Sequence, residues 1–226
     1  MPIKNDVVFH LYFGDEENKD DLKSFLKSVL ELPEEEYDVL YISDPFLRGE
    51  YPKEKIGIVD LKIKTKSGKT IHIEVQLLVL PDLRKRIFFY DAKLIAEQIG
   101  SGGKYSTIND VVTILITDEI LIQESPRYHH RFTFFDKDAC VELTDLLRIH
   151  TLELPKLPPV PDGTELHDWA SFIAAETEEE LNMVSERNEQ IGHAADKLRI
   201  LSNDQRAREL YELRLKEWRD IESFKD

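Results

Sequence analysis

Cysteine is almost absent from this chain, which has one cysteine, Cys140, in 226 residues. A single cysteine cannot form a disulfide within the chain, and the cysteine–histidine spacing of a zinc site does not occur around it. The sequence therefore excludes a disulfide-stabilised fold and a cysteine-ligated zinc site. We expect Cys140 to lie in the core, where free cysteines are most often found.

Long apolar runs are also missing from the sequence. No stretch approaches the roughly 20 apolar residues that a helix needs to cross a bilayer. Residues 1–15 lack the charged start and the apolar stretch of a signal peptide. These observations predict no contact with a membrane and a cytoplasmic location. The hydrophobic content of 41% is enough for one substantial core with an appendage, rather than for two equal domains.

Basic residues are fewer than acidic ones: the chain has 30 basic and 45 acidic residues, and its formal net charge is -15. Such a chain repels phosphates on average, which excludes a protein that coats nucleic acid through bulk electrostatics. Any DNA binding must therefore be local and helped by a metal. Basic residues do concentrate in one part of the chain, at Lys62, Lys64, Lys66, Lys69, Arg84, Lys85 and Arg86.

Apolar periodicity and helix-breaking residues predict the order of helices and strands. A helix is predicted around residues 22–30, and a second begins at Pro81 and Asp82 and continues to Gln98. Strands are predicted at 57–66, 69–78, 111–116, 130–135 and 148–154. Four prolines and a glycine between residues 155 and 163 mark a boundary, beyond which the pattern predicts three helices. The expected architecture is an α/β core of residues 1–157, with a small mixed β-sheet flanked by helices, and a linker with a C-terminal helical extension over 158–226.

The first two predicted strands form a hairpin whose register follows from parity. Odd-numbered residues are apolar in both strands, so the apolar faces coincide only if odd residues pair with odd residues. This excludes a two-residue turn at Ser67-Gly68. A three-residue loop, 66–68, satisfies the parity, puts Gly68 at the left-handed position and makes Asp60 the partner of Glu74.

Paired side chains of this kind lie roughly 4.5–5.5 Å apart at Cβ, which allows two carboxylates to share one hard cation. With Gln76 next along the same face and lysines around it, the pattern suits a Mg²⁺ site that acts on a phosphodiester. Charged outer faces on alternating strands are nevertheless common in proteins. The pattern alone therefore leaves open that Asp60 and Glu74 are ordinary surface charges.

Four segments of the sequence resemble the PD-(D/E)XK nuclease superfamily, in particular its transposase-like, recombination-promoting nuclease branch. The segment IVDLKIKTKSGKTIHIEVQ resembles the core motif of that branch, and KNDVVFHLYFG resembles its opening. RKRIFFYDAKLIAEQIGSGGKY is similar to its Arg/Tyr helix, and HTLELPKL to its last core segment. The helical tail is similar too, so the resemblance covers nearly the whole chain. It implies a restriction-endonuclease-like core and metal-dependent hydrolysis of DNA.

The resemblance implies a role for each matching residue. Asp60 and Glu74 would be metal ligands, with the backbone carbonyl of Val75 as a third, and Mg²⁺ the metal, for which Mn²⁺ could substitute. Gln76 stands where most of the superfamily has a lysine; a neutral amide can orient the attacking water but cannot supply charge. Lys62 is our first choice for that charge. The departure puts catalytic strength in doubt rather than the fold.

Several further residues have more than one interpretation. Lys64, Arg86 and Tyr90 could contact the DNA backbone or support the site, and Asp6 could assist the site, cap a helix or lie at the surface. The histidines His72, His129 and His130 are expected to be surface or hydrogen-bonded residues rather than ligands. The phenylalanines Phe88, Phe89, Phe132, Phe134 and Phe135 are expected in the core rather than as a platform for stacking bases.

The leading hypothesis from sequence is a Mg²⁺-dependent DNA endonuclease of low sequence specificity, with a helical tail that docks on the core, receives a partner or forms a homodimer. One rival is a DNA- or protein-binding module on a decayed nuclease fold. A second rival is a structural or regulatory protein that works through its helical tail. Metal binding separates the first rival from the enzyme.

Overall fold

The computed structural model describes residues 1–43, 46–47, 57–58 and 61–223. In these residues the strands are β1 (Tyr41–Ser43), β2 (Phe46–Leu47), β3 (Gly57–Ile58), β4 (Leu61–Lys64), β5 (Thr70–Gln76), β6 (Val111–Thr117), β7 (His129–Asp136) and β8 (Val141–Glu153). The α-helices are α1 (Asp6–Phe13), α2 (Lys19–Val29), α3 (Leu83–Ala96), α4 (Glu165–Ala174), α5 (Glu178–Ser185), α6 (Glu189–Asn203) and α7 (Gln205–Ser223). Among the described helices, none is both long and apolar enough to cross a membrane.

The main sheet is mixed, with six strands in the order β1-β4-β5-β6-β8-β7. The strands β5, β6 and β8 run parallel in the middle, and antiparallel pairs flank them on both sides. β2 and β3 form a separate antiparallel pair. The predicted class, an α/β fold with a mixed sheet flanked by helices, is confirmed.

The hairpin between β4 and β5 has the predicted parity and loop. Leu61 pairs with Ile73 and Ile63 with Ile71, so odd residues face odd residues. The Thr65 amide donates to the Lys69 carbonyl at 3.0 Å, which closes a three-residue loop, and Gly68 has a φ of 90°. The predicted loop and the left-handed glycine are therefore confirmed. Asp60 lies outside the described residues, so its pairing with Glu74 stays a prediction.

Helix α3 connects the parallel strands β5 and β6 and covers one face of the sheet. Its buried residues Leu83, Ile87 and Leu94 recur at helical spacing and pack in two clusters that include Leu115 and Val111 of β6. β6 is buried along its whole length, as its nearly continuous apolar sequence predicts. Even-numbered residues of β5 lie on the face that α3 covers.

Two expectations about which residues lie in the core are wrong. β6 pairs with Leu147–Glu153 of β8, so that, among the described strands, the outer part of β8 has β7 as its one neighbour. Cys140 lies exposed in the turn, with a φ of 54°, and is not a core residue. The predicted core phenylalanines are exposed as well: Phe88, Phe89, Phe132, Phe134 and Phe135.

Contacts divide the chain into two units, Val29–Leu157 and Met1–Ser28 together with Pro158–Asp226. The break after Leu157 coincides with the proline-rich segment. Residues 1–28, which the sequence analysis placed in the core of residues 1–157, instead group with the C-terminal helices. Whether the segments 1–157 and 158–226 have separate functions stays a prediction.

Aromatic packing explains why the two ends of the chain form one unit. Phe13 and Phe25 each lie 6.0 Å from Trp169 between ring centroids, and Tyr12 lies 6.2 Å from Phe172. In the described residues 158–223 there are four helices where three were predicted. The additional helix, α5, begins at Thr177 with a capping box, in which the side chains of Thr177 and Glu180 cap each other's backbone.

Candidate active site

Glu74 lies near the carboxyl end of β5, on the face covered by α3. Glu74 is buried, with 3% of its surface exposed. In parallel sheets the carboxyl ends of strands are where ligands bind most often. A buried carboxylate at this edge is costly unless it is paired, so its neighbours define what the site can do.

Gln76 brings two oxygen atoms of the site together. Its Nε2 donates to Glu74 Oε1 at 2.9 Å and to the backbone carbonyl of Val75 at 3.0 Å. The carboxylate and the carbonyl that the sequence predicts as ligands therefore converge on one point. Oxygen atoms of these two kinds are the ligands that hard divalent cations prefer, so the donor set fits such a metal.

Arg86 of α3 supplies positive charge to the same group of residues. Its Nη2 donates to Gln76 Oε1 and lies 3.6 Å from Glu74 Oε1. Its Nε is buried and has no hydrogen-bond partner within the described part of the chain. Arg86 thus fixes the orientation of the Gln76 amide and faces the carboxylate.

A buried network beneath Glu74 was not predicted. His72 is fully buried, with Nε2 3.4 Å from Glu74 Oε2 and Nδ1 3.3 Å from Asp91 Oδ1. Thr113 of β6 donates its hydroxyl to the same Asp91 oxygen, whereas Asp91 Oδ2 has no hydrogen-bond partner among the described residues. Asp91 and His72 therefore link α3 to the strand that carries Glu74.

The charge of this network follows from the pKa of His72. Burial by itself lowers the pKa of an imidazole, but the hydrogen bonds and charges of Asp91 and Glu74 outweigh it and raise the pKa of His72 to about 9. At neutral pH an imidazolium therefore stands between two carboxylates. The expectation that His72 is hydrogen-bonded is met, but it is no surface residue.

The sequence held a signal for this network. Asp91 lies on the apolar stripe of α3, four residues after Ile87 and three before Leu94. A carboxylate on a buried stripe needs a partner, and His72 lies on the same face of β5 as Glu74. Neither Asp91 nor His72 was predicted to be part of the site.

The other predicted residues have different environments. Lys62 Nζ lies 3.4 Å from Glu97, Lys64 is exposed, and Tyr90 packs near His72 with ring centroids 6.5 Å apart. Asp6 follows the helix cap Asn5, and its carboxylate binds Arg214 of α7. These contacts give Lys62 and Asp6 other partners and place Tyr90 as a support.

The remaining histidines form hydrogen bonds rather than a cluster of ligands. His129 Nε2 lies 3.0 Å from His150 Nδ1 with the rings stacked, and His130 lies beside Thr151 and Glu153. Within residues 1–43, 46–47, 57–58 and 61–223, no group of three or more histidine, cysteine or acidic side chains could hold a metal. Asp60, the second predicted carboxylate, is not among these residues.

The mixed sheet, the helix between its parallel strands and the buried carboxylate at a strand end define a restriction-endonuclease-like α/β fold. Residues 3–226 match the family model described as PD-(D/E)XK nuclease family transposase. The chain therefore belongs to this family, which implies a nuclease-like function and the use of a divalent metal. Comparisons with curated proteins and with solved structures give no match.

Proposed function

We propose that this protein is a Mg²⁺-dependent DNA endonuclease that acts in the cytoplasm and hydrolyses phosphodiester bonds. The observation that carries the proposal is the convergence of Glu74 Oε1 and the Val75 carbonyl on Gln76 Nε2, at 2.9 and 3.0 Å. Asp60, Glu74 and the Val75 carbonyl would hold the metal. Mn²⁺, which accepts the same oxygen ligands, would substitute for it.

The metal, when bound, lowers the pKa of a bound water and neutralises charge on the phosphoryl oxygens. The protein side chains position the reaction. Gln76 has its amide oxygen fixed by Arg86, and its amide nitrogen donates to Glu74 and to the Val75 carbonyl, so it would hold these two ligand oxygens in place. Arg86, whose Nη2 lies 3.6 Å from Glu74 Oε1, would supply the positive charge that the amide lacks.

A plasmid-nicking assay with and without Mg²⁺ or Mn²⁺ tests the proposal. Asp60→Asn and Glu74→Gln remove the ligand charge with little change in size, and each should abolish nicking almost completely. Glu142→Gln, at an exposed position of β8, is the matched control and should retain the parent rate. Equal nicking by the parent and by Glu74→Gln, at the same metal concentration, would refute the assigned site.

A second candidate is a binding module that no longer cleaves DNA. It is favoured by one contact: Arg86 lies 3.6 Å from Glu74, where a fixed cation neutralises the carboxylate without a metal. Titration calorimetry with Mn²⁺ separates the two candidates. Binding that is lost in Glu74→Gln supports the enzyme, whereas no binding to the parent protein favours the module.

We also propose a homodimer that forms through the helical extension. Leu213 of α7 is 61% exposed and Ile200 of α6 is 73% exposed, so the helical extension carries large aliphatic side chains that a second copy would cover. Sedimentation of the parent and of Leu213→Glu tests this. A dimer that dissociates in the variant supports the proposal, and a monomeric parent refutes it.

A further inference from the structure

Helix α3 differs in charge from the rest of this acidic chain. Within Leu83–Ala96 the basic residues are Arg84, Lys85, Arg86 and Lys93, and the one acidic residue, Asp91, is fully buried. At the ends of the helix stand Asp82, which is exposed, and Glu97, which is paired with Lys62. The helix therefore presents positive charge to solvent in a protein of net charge -15.

Two phenylalanines lie on the same side of α3 as these cations. Phe88 is 49% exposed and Phe89 is 48% exposed. The ring of Phe88 lies 6.3 Å from Phe134 of β7, and Lys93 Nζ lies 5.2 Å from the ring centroid of Phe89. Aromatic rings and ammonium groups thus alternate over one surface. We name it the α3 outer face, and it consists of Arg84, Lys85, Phe88, Phe89 and Lys93.

The basic side chains keep the capacity to bind phosphate. Arg84 donates one hydrogen bond, of 2.6 Å, to the carbonyl of Leu121, which is neutral, so the guanidinium keeps its charge and its other donors. Lys85 is exposed. An acidic protein that binds DNA needs a local surface of this kind, because its average field repels phosphates.

We propose that the α3 outer face binds an unpaired DNA strand, with the phenylalanine rings stacked on bases and the cations at phosphates. That the ligand is DNA rests on the proposed function. The strand must be unpaired, because the phenylalanine rings can stack only on base faces that are accessible. A duplex exposes its phosphates and groove edges but keeps its base faces covered. Every unpaired base offers a π-face, so the surface requires no particular sequence.

The position of the surface relates it to the candidate site. Arg86 follows Lys85 directly in α3 and contacts Gln76 and Glu74. A strand held along the α3 outer face is therefore within one helix diameter, roughly 10 Å, of the carboxyl end of β5. The proposed substrate is a DNA segment that is single-stranded, frayed or bulged next to the bond that is cut.

Fluorescence anisotropy tests the proposal with the full chain in EDTA, where cleavage cannot occur. The probe is a labelled single strand of about 16 nucleotides, the upper site size for one such surface, and the comparison is the matching duplex. Phe88→Leu/Phe89→Leu keeps apolar side chains but removes the rings. It should weaken binding of the single strand about tenfold or more and leave duplex binding unchanged.

Two variants serve as controls for this measurement. Phe135→Leu replaces an exposed phenylalanine of the β7–β8 hairpin and should bind the single strand as the parent does. Lys85→Gln should weaken the binding of both the single strand and the duplex, and should reduce the slope of log affinity against log salt concentration by about one unit. Circular dichroism of each variant checks that exposed substitutions leave the fold intact.

Several outcomes would overturn the inference. These are equal single-strand binding by the parent and Phe88→Leu/Phe89→Leu, an equal loss in Phe135→Leu, tighter binding of the duplex, or tighter binding of RNA of the same sequence. Plasmid nicking, measured in parallel, separates this inference from the proposed function. Nicking without stacking-dependent binding refutes only the inference, and binding without nicking refutes only the endonuclease.

Discussion

Nδ1 of His72 lies 3.3 Å from Oδ1 of Asp91, and both side chains are fully buried. The contact joins β5 to α3 immediately below Glu74. Asp91 and Glu74 both face the imidazolium, and Arg86 lies 3.6 Å from Glu74, so two negative and two positive charges stand together. Removing any one of the four leaves a charge without compensation.

Asp91→Asn should therefore destabilise the protein by about 3 kcal/mol, as is typical when one partner of a buried ion pair is removed. Urea unfolding measures the change. Asp138→Asn, in the exposed turn of the β7–β8 hairpin, is the control and should stay within about 0.5 kcal/mol of the parent. A loss for Asp91→Asn no larger than that of the control would show that the contact adds nothing to stability.

Glu74→Ala should also lower the stability of the metal-free protein. Repulsion between Asp60 and Glu74, considered alone, predicts unchanged or higher stability. The structure adds two cationic neighbours, His72 at 3.4 Å and Arg86 at 3.6 Å, and each of them loses one of its partners in this variant. We expect a loss of about 2 kcal/mol or more in urea unfolding with EDTA. An unfolding midpoint at or above that of the parent would favour the repulsion argument.

Replacing Gln76 with the lysine found in most of the superfamily should not improve this site. Gln76 accepts a hydrogen bond from Arg86, and a lysine there would set an ammonium against the guanidinium. Gln76→Lys should reduce both stability and nicking, and Gln76→Lys/Arg86→Gln should recover part of both. A double-mutant cycle on urea unfolding should give a coupling of about 1 kcal/mol. Additive effects would exclude the repulsion.

His150 makes stability depend on pH. Burial is the main cause that lowers the pKa of His150 from 6.5 to about 3, and the charges of His129, Arg131 and Arg148 add to it. Below pH 6.5 the unfolded chain binds a proton that the folded chain does not. The contribution of neutral His150 to the free energy of unfolding is thus fully present above pH 6.5 and is lost as the pH falls towards 3.

His150→Gln should reduce the slope of unfolding free energy against pH, below pH 6.5, by up to about 1.4 kcal/mol per pH unit. The slope is obtained from urea unfolding at a series of pH values. His193→Gln, at an exposed position of α6, should keep the parent slope. An unchanged slope in His150→Gln would mean that other groups cause the loss of stability in acid.

The loop glycine of the β4–β5 hairpin provides a test of the register. Gly68 has a φ of 90°, and an added Cβ would lie 3.0 Å from Asn109 Nδ2. Gly68→Ala should cost about 1–2 kcal/mol for the left-handed backbone, with a further cost for displacing the amide. Gly102→Ala, at φ 80° with no atom within 4 Å of the added Cβ, isolates the backbone cost. A Gly68→Ala protein as stable as the parent would exclude this loop.

Much of the fold was predictable because its rules are local. Alternation fixed the parity of β4 and β5, and Gly68 fixed the loop length. A continuous apolar run identified β6 as buried on both faces. Which apolar side chains are exposed was harder to predict. The residue types of Phe134 and Phe135 do not show that their part of the β7–β8 hairpin extends past the end of β6.

The candidate site was predictable only in part. The residue types of Glu74 and Gln76 point to it, and the resemblance identifies the motif. The partners of Glu74 come from elements distant in sequence, such as Asp91 and Arg86 of α3. Nothing local in the sequence specifies that Lys62 pairs with Glu97. Such contacts depend on how the helix packs on the sheet.

The grouping of residues 1–28 with the helices after residue 158 has a consequence for synthesis on the ribosome. Phe13 and Phe25 are made first, yet their aromatic neighbour Trp169 follows more than a hundred residues later. At about 5–20 residues per second, the nascent chain exposes these rings for several seconds or longer. During that interval the first helices lack their native aromatic partner, and transiently exposed apolar surface of this kind promotes aggregation.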